Sequence, residues 1–166
     1  MEEKILNEIL KDTFTLDSLR KRVQVLKVIL ERDIYRPEAA KNEKKTDLEL
    51  REERWLSGFD KELITGMTSQ MYGPLNARIE KFIAAIVPLT IYFVFIPDEA
   101  QLKAFGTWLR ENLDQPRLVF DLKIDPRLIG GCAFVYKGVY KDYSLRARIS
   151  DNKDKIIGEF RKYFKQ

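Results

Sequence analysis

Acidic side chains are the main groups in this chain that could support acid–base chemistry, because its 166 residues include no histidine. Asp121 and Asp125 are four residues apart, and Asp114 and Asp142 lie on either side of them. Two carboxylates that converge in one pocket could act as general acid and general base. Aspartates on a charged surface are more often simply solvated, and we interpret these four in that way. The sequence therefore predicts no catalytic residues and no enzyme activity.

A cysteine and a pair of glycines are the other features that could take part in catalysis or ligand binding. Cys132 begins an apolar segment, where burial disfavours the thiolate, so we interpret it as a small core residue. Gly130-Gly131 precedes a predicted strand, so no helix N-terminus follows to bind a phosphate. No phosphate-loop or dinucleotide-binding glycine motif occurs. We therefore expect no cofactor and no metal site, and the glycines indicate a tight turn or a close backbone approach.

The composition is typical of a folded protein with a strongly charged surface. Apolar residues make up 45% of the chain and charged residues 34%, with a net charge of +4 from 30 basic and 26 acidic side chains. The two signs are interleaved, whereas nucleic-acid-binding proteins gather basic residues on one face. The one basic bias, from Arg146 to Lys165, is interpreted as a solvated helix face. A single cysteine cannot form an internal disulfide, which favours a reducing, cytoplasmic setting.

One uncharged segment is a candidate for a membrane span. Residues 82–96 contain no charged side chain, but the segment is interrupted by Pro88. It is shorter than the ~20 apolar residues that a spanning helix needs. We interpret it as a buried helix end that leads into a buried strand, and we expect no membrane span.

The first half of the chain has the periodicity of helices packed in a bundle. Apolar residues after Thr15 recur at alternating steps of three and four, which places them along one side of a helix. This stripe consists of Leu16, Leu19, Val23, Leu26 and Leu30. We interpret it as bundle core, and the alternative is a groove that receives a partner helix. Thr46 and Glu49 have the spacing of a capping box, while Pro37 and Gly73-Pro74 are interpreted as breaks between helices.

The second half alternates between strand and helix patterns. Strands are predicted over residues 89–96, 118–124 and 132–136, with a helix that opens at Pro97-Asp98-Glu99. Gly138 marks a turn, Ser144 is a candidate N-cap, and Ser150-Asp151-Asn152 interrupts the final helix. The predicted fold class is therefore α+β. A helical bundle domain, residues 1–87, precedes a small mixed α/β domain, residues 88–166, with the order strand–helix–strand–strand–helix.

The residues from Asp125 onward carry a combined motif. The run Asp125-Pro126-Arg127-Leu128-Ile129-Gly130-Gly131 is followed by Gly138 and then by Asp142, Ser144, Arg146 and Arg148. In order and spacing this resembles the C-terminal signature of the F-type ATP synthase delta subunit, the family of mitochondrial oligomycin-sensitivity-conferring protein. In that family a D-P-x-L-I-G-G corner leads into a strand, and a glycine turn, a D-x-S segment and a basic helix follow. The resemblance covers the second half of the chain.

Two features depart from the family pattern. The N-terminal helical domain is shorter than the family's six-helix bundle, so the chain would be a divergent member. Tyr143 stands between the aspartate and the serine, where a small residue is usual. The aromatic ring could pack differently there or be presented to a partner.

The resemblance implies a function as well as a fold. A delta-type subunit is non-catalytic and joins the catalytic head to the peripheral stalk, so that the head resists the torque of the rotor during ATP synthesis driven by proton transport. The implied partners are the N-terminal helices of the head's alpha subunits and the b-type stalk subunits. The implied location is the cytoplasmic face of the cell membrane, where the chain would be a peripheral component of the complex.

The resemblance also assigns residues to two roles. One group shapes the C-terminal domain and consists of Asp125, Pro126, Ile129, Gly130, Gly131, Gly138, Asp142 and Ser144. The other group is a set of candidate partner contacts: the stripe Leu16, Leu19, Val23, Leu26 and Leu30 for the head, and Phe160 and Phe164 for the stalk. For the stripe, core packing is the favoured interpretation.

Two alternative functions remain open at this stage. The E-type stalk subunit of V- or A-type rotary ATPases also carries a Gly-Gly strand near its C-terminus, but that family begins with one long helix. Pro37, Gly58 and Gly73-Pro74 argue against such a helix here. A small basic nucleic-acid-binding module is the second alternative, and it predicts duplex binding with a steep salt dependence.

Overall fold

A computed structural model describes residues 2–36, 44–59, 62 and 69–164. The chain divides into two compact units, one formed by Met1–Ile86 with Trp108–Val119 and the other by Val87–Thr107 with Phe120–Gln166. Helices precede a four-stranded mixed sheet, which confirms the predicted α+β class. None of the helices in the described ranges is long and apolar enough to cross a membrane.

The first unit is built from helices. They are α1 (Glu2–Lys11), α2 (Leu16–Tyr35), α3 (Asp47–Arg51), α4 (Glu53–Gly58), α5 (Ser69–Ala85) and the last turn of α6 (Glu99–Asn112). Helix α2 begins where the sequence predicts, because the Thr15 hydroxyl accepts a hydrogen bond from the Ser18 amide at 3.2 Å. Its end at Tyr35 precedes Pro37, which lies outside the described residues.

The predicted apolar stripe of α2 lies in the core of this unit. Leu19, Val23, Leu26 and Leu30 are buried, and Leu16 packs against the same cluster. Residues of α1 and α5 complete the cluster, among them Ile5, Ile9, Leu75 and Ile79. Burial of a leucine-sized side chain contributes roughly 1.5–3 kcal/mol. The interpretation of the stripe as bundle core is therefore confirmed.

The predicted capping box starts α3 and reaches back to α2. The Thr46 hydroxyl accepts from the Glu49 amide at 3.2 Å, and the Glu49 carboxylate accepts from the Thr46 amide at 2.6 Å. Glu49 is buried, and the Arg32 guanidinium donates to it at 2.9 Å. Burial opposes ionisation of this carboxyl, but the hydrogen bonds from Thr46 and the charge of Arg32 hold its pKa below the ordinary value. One side chain thus caps one helix and pairs with another.

Helix α5 corrects the interpretation of Gly73-Pro74 as a break. Pro74 lies inside this helix, although it supplies no amide hydrogen and its ring crowds the preceding turn. The penalty for an interior proline is about 3 kcal/mol. Leu75 and Ile79, directly after it, are buried in the core, and their packing offsets the penalty.

The second unit contains a sheet with the strand order β2-β1-β3-β4. Its strands are β1 (Leu89–Phe93), β2 (Phe120–Ile124), β3 (Cys132–Tyr136) and β4 (Val139–Asp142). Strand β1 pairs in parallel with β2 and antiparallel with β3, and β3 and β4 form an antiparallel hairpin. Strand β4 is an addition to the predicted order. Its four residues follow the Gly138 turn and are too few to give a recognisable alternation.

Two short helices, α7 (Leu145–Asp151) and α8 (Lys153–Tyr163), follow β4. The predicted interruption near residues 150–152 is confirmed and lies at Asn152. The interruption is slight, because Asn152 donates its amide to the Arg148 carbonyl at 3.2 Å and accepts from the Ile156 amide at 3.0 Å. The backbone hydrogen bonds of α7 therefore continue into α8.

Replacing Pro74 tests whether α5 is a continuous helix at this position. We expect Pro74→Ala to raise the free energy of unfolding by about 1–3 kcal/mol, because alanine restores the amide hydrogen and relieves the crowded turn. Denaturant unfolding followed by circular dichroism measures the change. Lower stability in the variant would mean that the chain requires a break at this position.

Candidate functional site

The motif residues meet in one corner of the second unit, which we call the aspartate–serine corner and define as residues 125–131 with 142–144. Asp125 begins it by capping a 3₁₀ turn, Pro126–Leu128, through a hydrogen bond from the Arg127 amide at 3.0 Å. The Arg127 guanidinium donates to both oxygens of the same carboxylate, at 2.8 and 3.0 Å. The Asp125 amide donates to the Phe93 carbonyl at 2.8 Å. The turn is thereby fixed to the end of β1.

Asp125 has a low pKa because of these contacts. The hydrogen bonds from the Arg127 side chain are the largest cause, burial opposes them, and the Arg127 amide adds to the effect. Leu128, at the end of the turn, is buried. The acidic residue and the proline therefore shape the entry to β3, as predicted for Asp125 and Pro126.

The glycine pair permits a close approach between two backbone segments. Gly131 has a φ of +77°, and a Cβ atom there would lie 2.6 Å from the Tyr143 carbonyl oxygen and 3.2 Å from the Ser144 Cα. The Gly130 carbonyl accepts from the Leu145 amide at 2.8 Å, and the Tyr143 amide donates to the Cys132 carbonyl at 2.9 Å. The prediction of a close backbone approach is confirmed at Gly131, where only glycine fits.

Asp142 and Ser144 form the other side of the corner. The Asp142 carboxylate accepts from the Ser144 amide at 2.8 Å, and the buried Ser144 hydroxyl accepts from the Ala147 amide at 3.1 Å. Arg146 lies 3.6 Å from the same carboxylate. Hydrogen bonds with Ser144 are the main reason that the pKa of Asp142 is lowered. Ser144 caps α7, as the sequence predicts.

Gly138 closes the β3–β4 hairpin. Lys137 and Gly138 have φ angles of +49° and +80°, and they link the paired residues Tyr136 and Val139. Positive φ angles at both central residues define a type I′ turn, whose twist matches that of the strands. The turn predicted at Gly138 is thus confirmed.

The aspartates and the cysteine considered for catalysis make separate structural contacts. Asp121 lies 3.8 Å from Lys123, whereas Asp125 is engaged by Arg127 and Asp142 by Ser144. Partial burial, together with the charge of Asp142, raises the pKa of the Cys132 thiol, as expected for a residue in an apolar strand. Within the described residues, no cluster of three or more histidine, cysteine or acidic side chains could hold a metal ion.

The two sets of candidate partner contacts have opposite environments. The α2 stripe is buried, so its residues do not form a free surface. Phe160 and Phe164 are instead 61% and 86% exposed on and just after α8. Tyr143, the departure from the family pattern, stacks on Phe134 with ring centroids 5.1 Å apart. One face of its ring is thus covered within the unit, although the residue is exposed overall.

Sequence reasoning missed one positioning residue, Arg110, and one unusual backbone conformation. Arg110 donates to the carbonyl groups of Lys11, Thr13 and Leu118, and its guanidinium lies 4.3 Å from the Phe14 ring centroid. Burial lowers its pKa. Nothing in its spacing distinguishes it from the other basic residues of the chain. Ile129, which the resemblance places in the group that shapes the C-terminal domain, has the unusual conformation, with a φ of +67°. Only the two following glycines indicate unusual backbone at that point.

The fold and the corner define a two-unit α+β protein whose motif residues serve to join a strand to a helix. No family model, no curated protein and no solved structure matches this chain.

Gly131 and Gly130 provide a matched test of the corner. We expect Gly131→Ala to lower the free energy of unfolding by at least roughly 1–2 kcal/mol, because a left-handed φ disfavours a Cβ atom even before its overlap with Tyr143. Gly130→Ala is the control, since its Cβ would lie 3.6 Å from the Leu145 Cβ, an ordinary contact. We expect it to change stability by less than about 1 kcal/mol. Equal effects in denaturant unfolding would contradict the close approach.

The corner also predicts a pH dependence. The pKa values of Asp125 and Asp142 are lowered in the folded state, so their contribution to stability is complete above the ordinary aspartate value of about 4. It is lost as the pH falls below that value towards the folded pKa. We expect the variant with both Asp125→Asn and Asp142→Asn to lose less stability between pH 5 and pH 2 than the natural chain. Parallel curves of unfolding free energy against pH would refute the assignment.

Proposed function

We propose that this chain is a delta-type subunit of a proton-translocating F-type ATP synthase, in which it joins the catalytic head to the peripheral stalk. The observation that carries the proposal is the geometry of the aspartate–serine corner. Asp125, Gly131, Asp142 and Ser144 are separated in the sequence, yet they build one joint between β3 and α7. The motif that carries the resemblance to the family is thus also a physical unit.

The organisation of the chain supports the same function. A helical unit and a small mixed sheet with terminal helices agree with the head-binding and stalk-binding parts of the family. An adaptor needs large interfaces that dissociate slowly, and it needs no reactive side chain. The exposed aromatic residues of α8 supply an apolar surface of the required kind. The chain would hold the head against rotor torque at the cytoplasmic face of the membrane, as a peripheral component of the complex.

The alternative of an E-type stalk subunit has less support. That family begins with one long helix, whereas here α1 ends at Lys11 and α2 begins at Leu16. Pro74 no longer contributes to this argument, because it lies inside α5. The break between α1 and α2 is sufficient, since Thr15 caps a new helix there.

Binding to purified partners tests the proposal. We expect the immobilised chain to retain the alpha-containing catalytic head and, separately, the b-type stalk subunit from the same organism at physiological salt. A head whose alpha subunits lack their N-terminal helices is the matched control, and we expect its retention to fall at least tenfold. If neither the intact head nor the stalk subunit is retained, the chain is not a delta-type adaptor.

A further inference from the structure

An apolar seam runs along the two C-terminal helices. We call it the C-terminal seam; its members are Leu145, Ile149, Ile156, Phe160 and Phe164. They follow one another at steps of four, seven, four and four residues, which keeps them on one side of a helix with 3.6 residues per turn. Because the backbone hydrogen bonds pass through Asn152, α7 and α8 present this side nearly continuously.

The seam is not covered by any described part of the chain. Its five side chains are between 37% and 86% exposed, and exposure is greatest at Phe160 and Phe164. Isolated exposed apolar residues are ordinary, but a contiguous stripe of aliphatic and aromatic side chains marks an interaction surface. A helix with such a stripe is recognised by a partner that supplies a matching apolar stripe.

Ile129 adds a second indication at the start of the seam. It has a φ of +67°, a conformation that strongly disfavours a β-branched residue, and its side chain is 61% exposed. The neighbouring Gly130 lies against Leu145, the first residue of the seam. The strained conformation therefore accompanies an apolar side chain that is mostly exposed to solvent. Strain of this kind is typical of binding sites.

The net charge of the segment that carries the seam indicates the chemistry of its partner. Residues 145–164 contain six basic and three acidic side chains, a net charge of +3. Arg146 pairs with Asp142, and Lys162 pairs with Glu159. Within the described residues, the other four basic side chains, Arg148, Lys153, Lys155 and Arg161, make no ion pair. An apolar stripe on a segment with an excess of unpaired cations is complementary to an apolar stripe flanked by carboxylates.

We propose that the C-terminal seam binds a partner helix whose apolar stripe is flanked by aspartate or glutamate residues. This deepens the proposed function and rests on it only for the identity of the partner, which would then be the end of a b-type stalk subunit. A second copy of this chain fits less well, because two segments of charge +3 would repel each other across the contact.

Two synthetic three-heptad helices serve as probes. Both carry leucine and isoleucine along one stripe; one has glutamate and the other lysine beside it. We expect isothermal titration with the full chain to give binding to the glutamate peptide only, with weaker binding at higher salt. Phe160→Ala should weaken binding roughly tenfold, the typical effect of truncating a central aromatic contact. Phe95→Ala is the matched control, because Phe95 is similarly exposed on the loop after β1.

A charge-reversal variant separates the electrostatic contribution to peptide binding from the apolar contribution. We expect Arg161→Glu to weaken binding of the glutamate peptide and to improve binding of the lysine peptide. The control Lys141→Glu, on β4, should change neither. Circular dichroism checks that each variant folds, and because all four positions are exposed we expect the natural spectrum.

The possible outcomes are distinguishable. If the stalk subunit is retained but neither peptide binds and Phe160→Ala has no effect on stalk binding, the proposed function stands and the seam inference is wrong. If the glutamate peptide binds while the stalk subunit is not retained, the inference stands and the partner is a different acidic helix. Equal binding of both peptides, self-association in sedimentation, or displacement of the peptide by random duplex DNA would each overturn the inference.

Discussion

The second unit depends on one contact between backbones, the approach of Gly131 to the carbonyl of Tyr143 and the Cα of Ser144. A Cβ atom at Gly131 would lie 2.6 Å from that carbonyl oxygen, so no other residue permits the approach. The approach allows the Tyr143 amide to reach Cys132 and the Leu145 amide to reach Gly130. It thereby fixes the start of β3 beside the start of α7.

Polar groups make this joint possible. A helix start and a strand start brought together would leave backbone donors without partners unless side chains accept from them. Asp125 accepts in the 3₁₀ turn, Asp142 accepts from Ser144, and the Ser144 hydroxyl accepts from Ala147. The acidic and hydroxyl side chains that could have supported catalysis thus accept hydrogen bonds from backbone amides. The pKa of Asp125 is lowered mainly by the Arg127 side chain, and the pKa of Asp142 is lowered mainly by hydrogen bonds with Ser144. In both cases the charged carboxylate is the form that accepts the hydrogen bonds.

The sequence predicted local features well wherever one residue type has one physical role. Thr46 and Ser144 were identified as caps, and each accepts the expected amide. The α2 stripe was assigned to the core, since its spacing matches a helix. Pro74 was misread because its local cost is offset by packing of Leu75 and Ile79, which only tertiary structure reveals. Strand β4 was missed because its pairing with β3 comes from the turn at Gly138 and not from its own pattern.

The same periodicity has different consequences in α2 and in the C-terminal seam, and the sequence alone does not separate them. Both have apolar residues at steps of three, four or seven, yet Leu19 and Leu26 are buried whereas Phe160 and Phe164 are exposed. Stripes on α1 and α5 meet α2, but no stripe in the described residues meets α8. Exposed apolar area costs roughly 25 cal/mol per Å² relative to burial, so α8 retains free energy that a partner can recover. What separates a buried stripe from an exposed one is therefore whether the described chain supplies the second stripe itself.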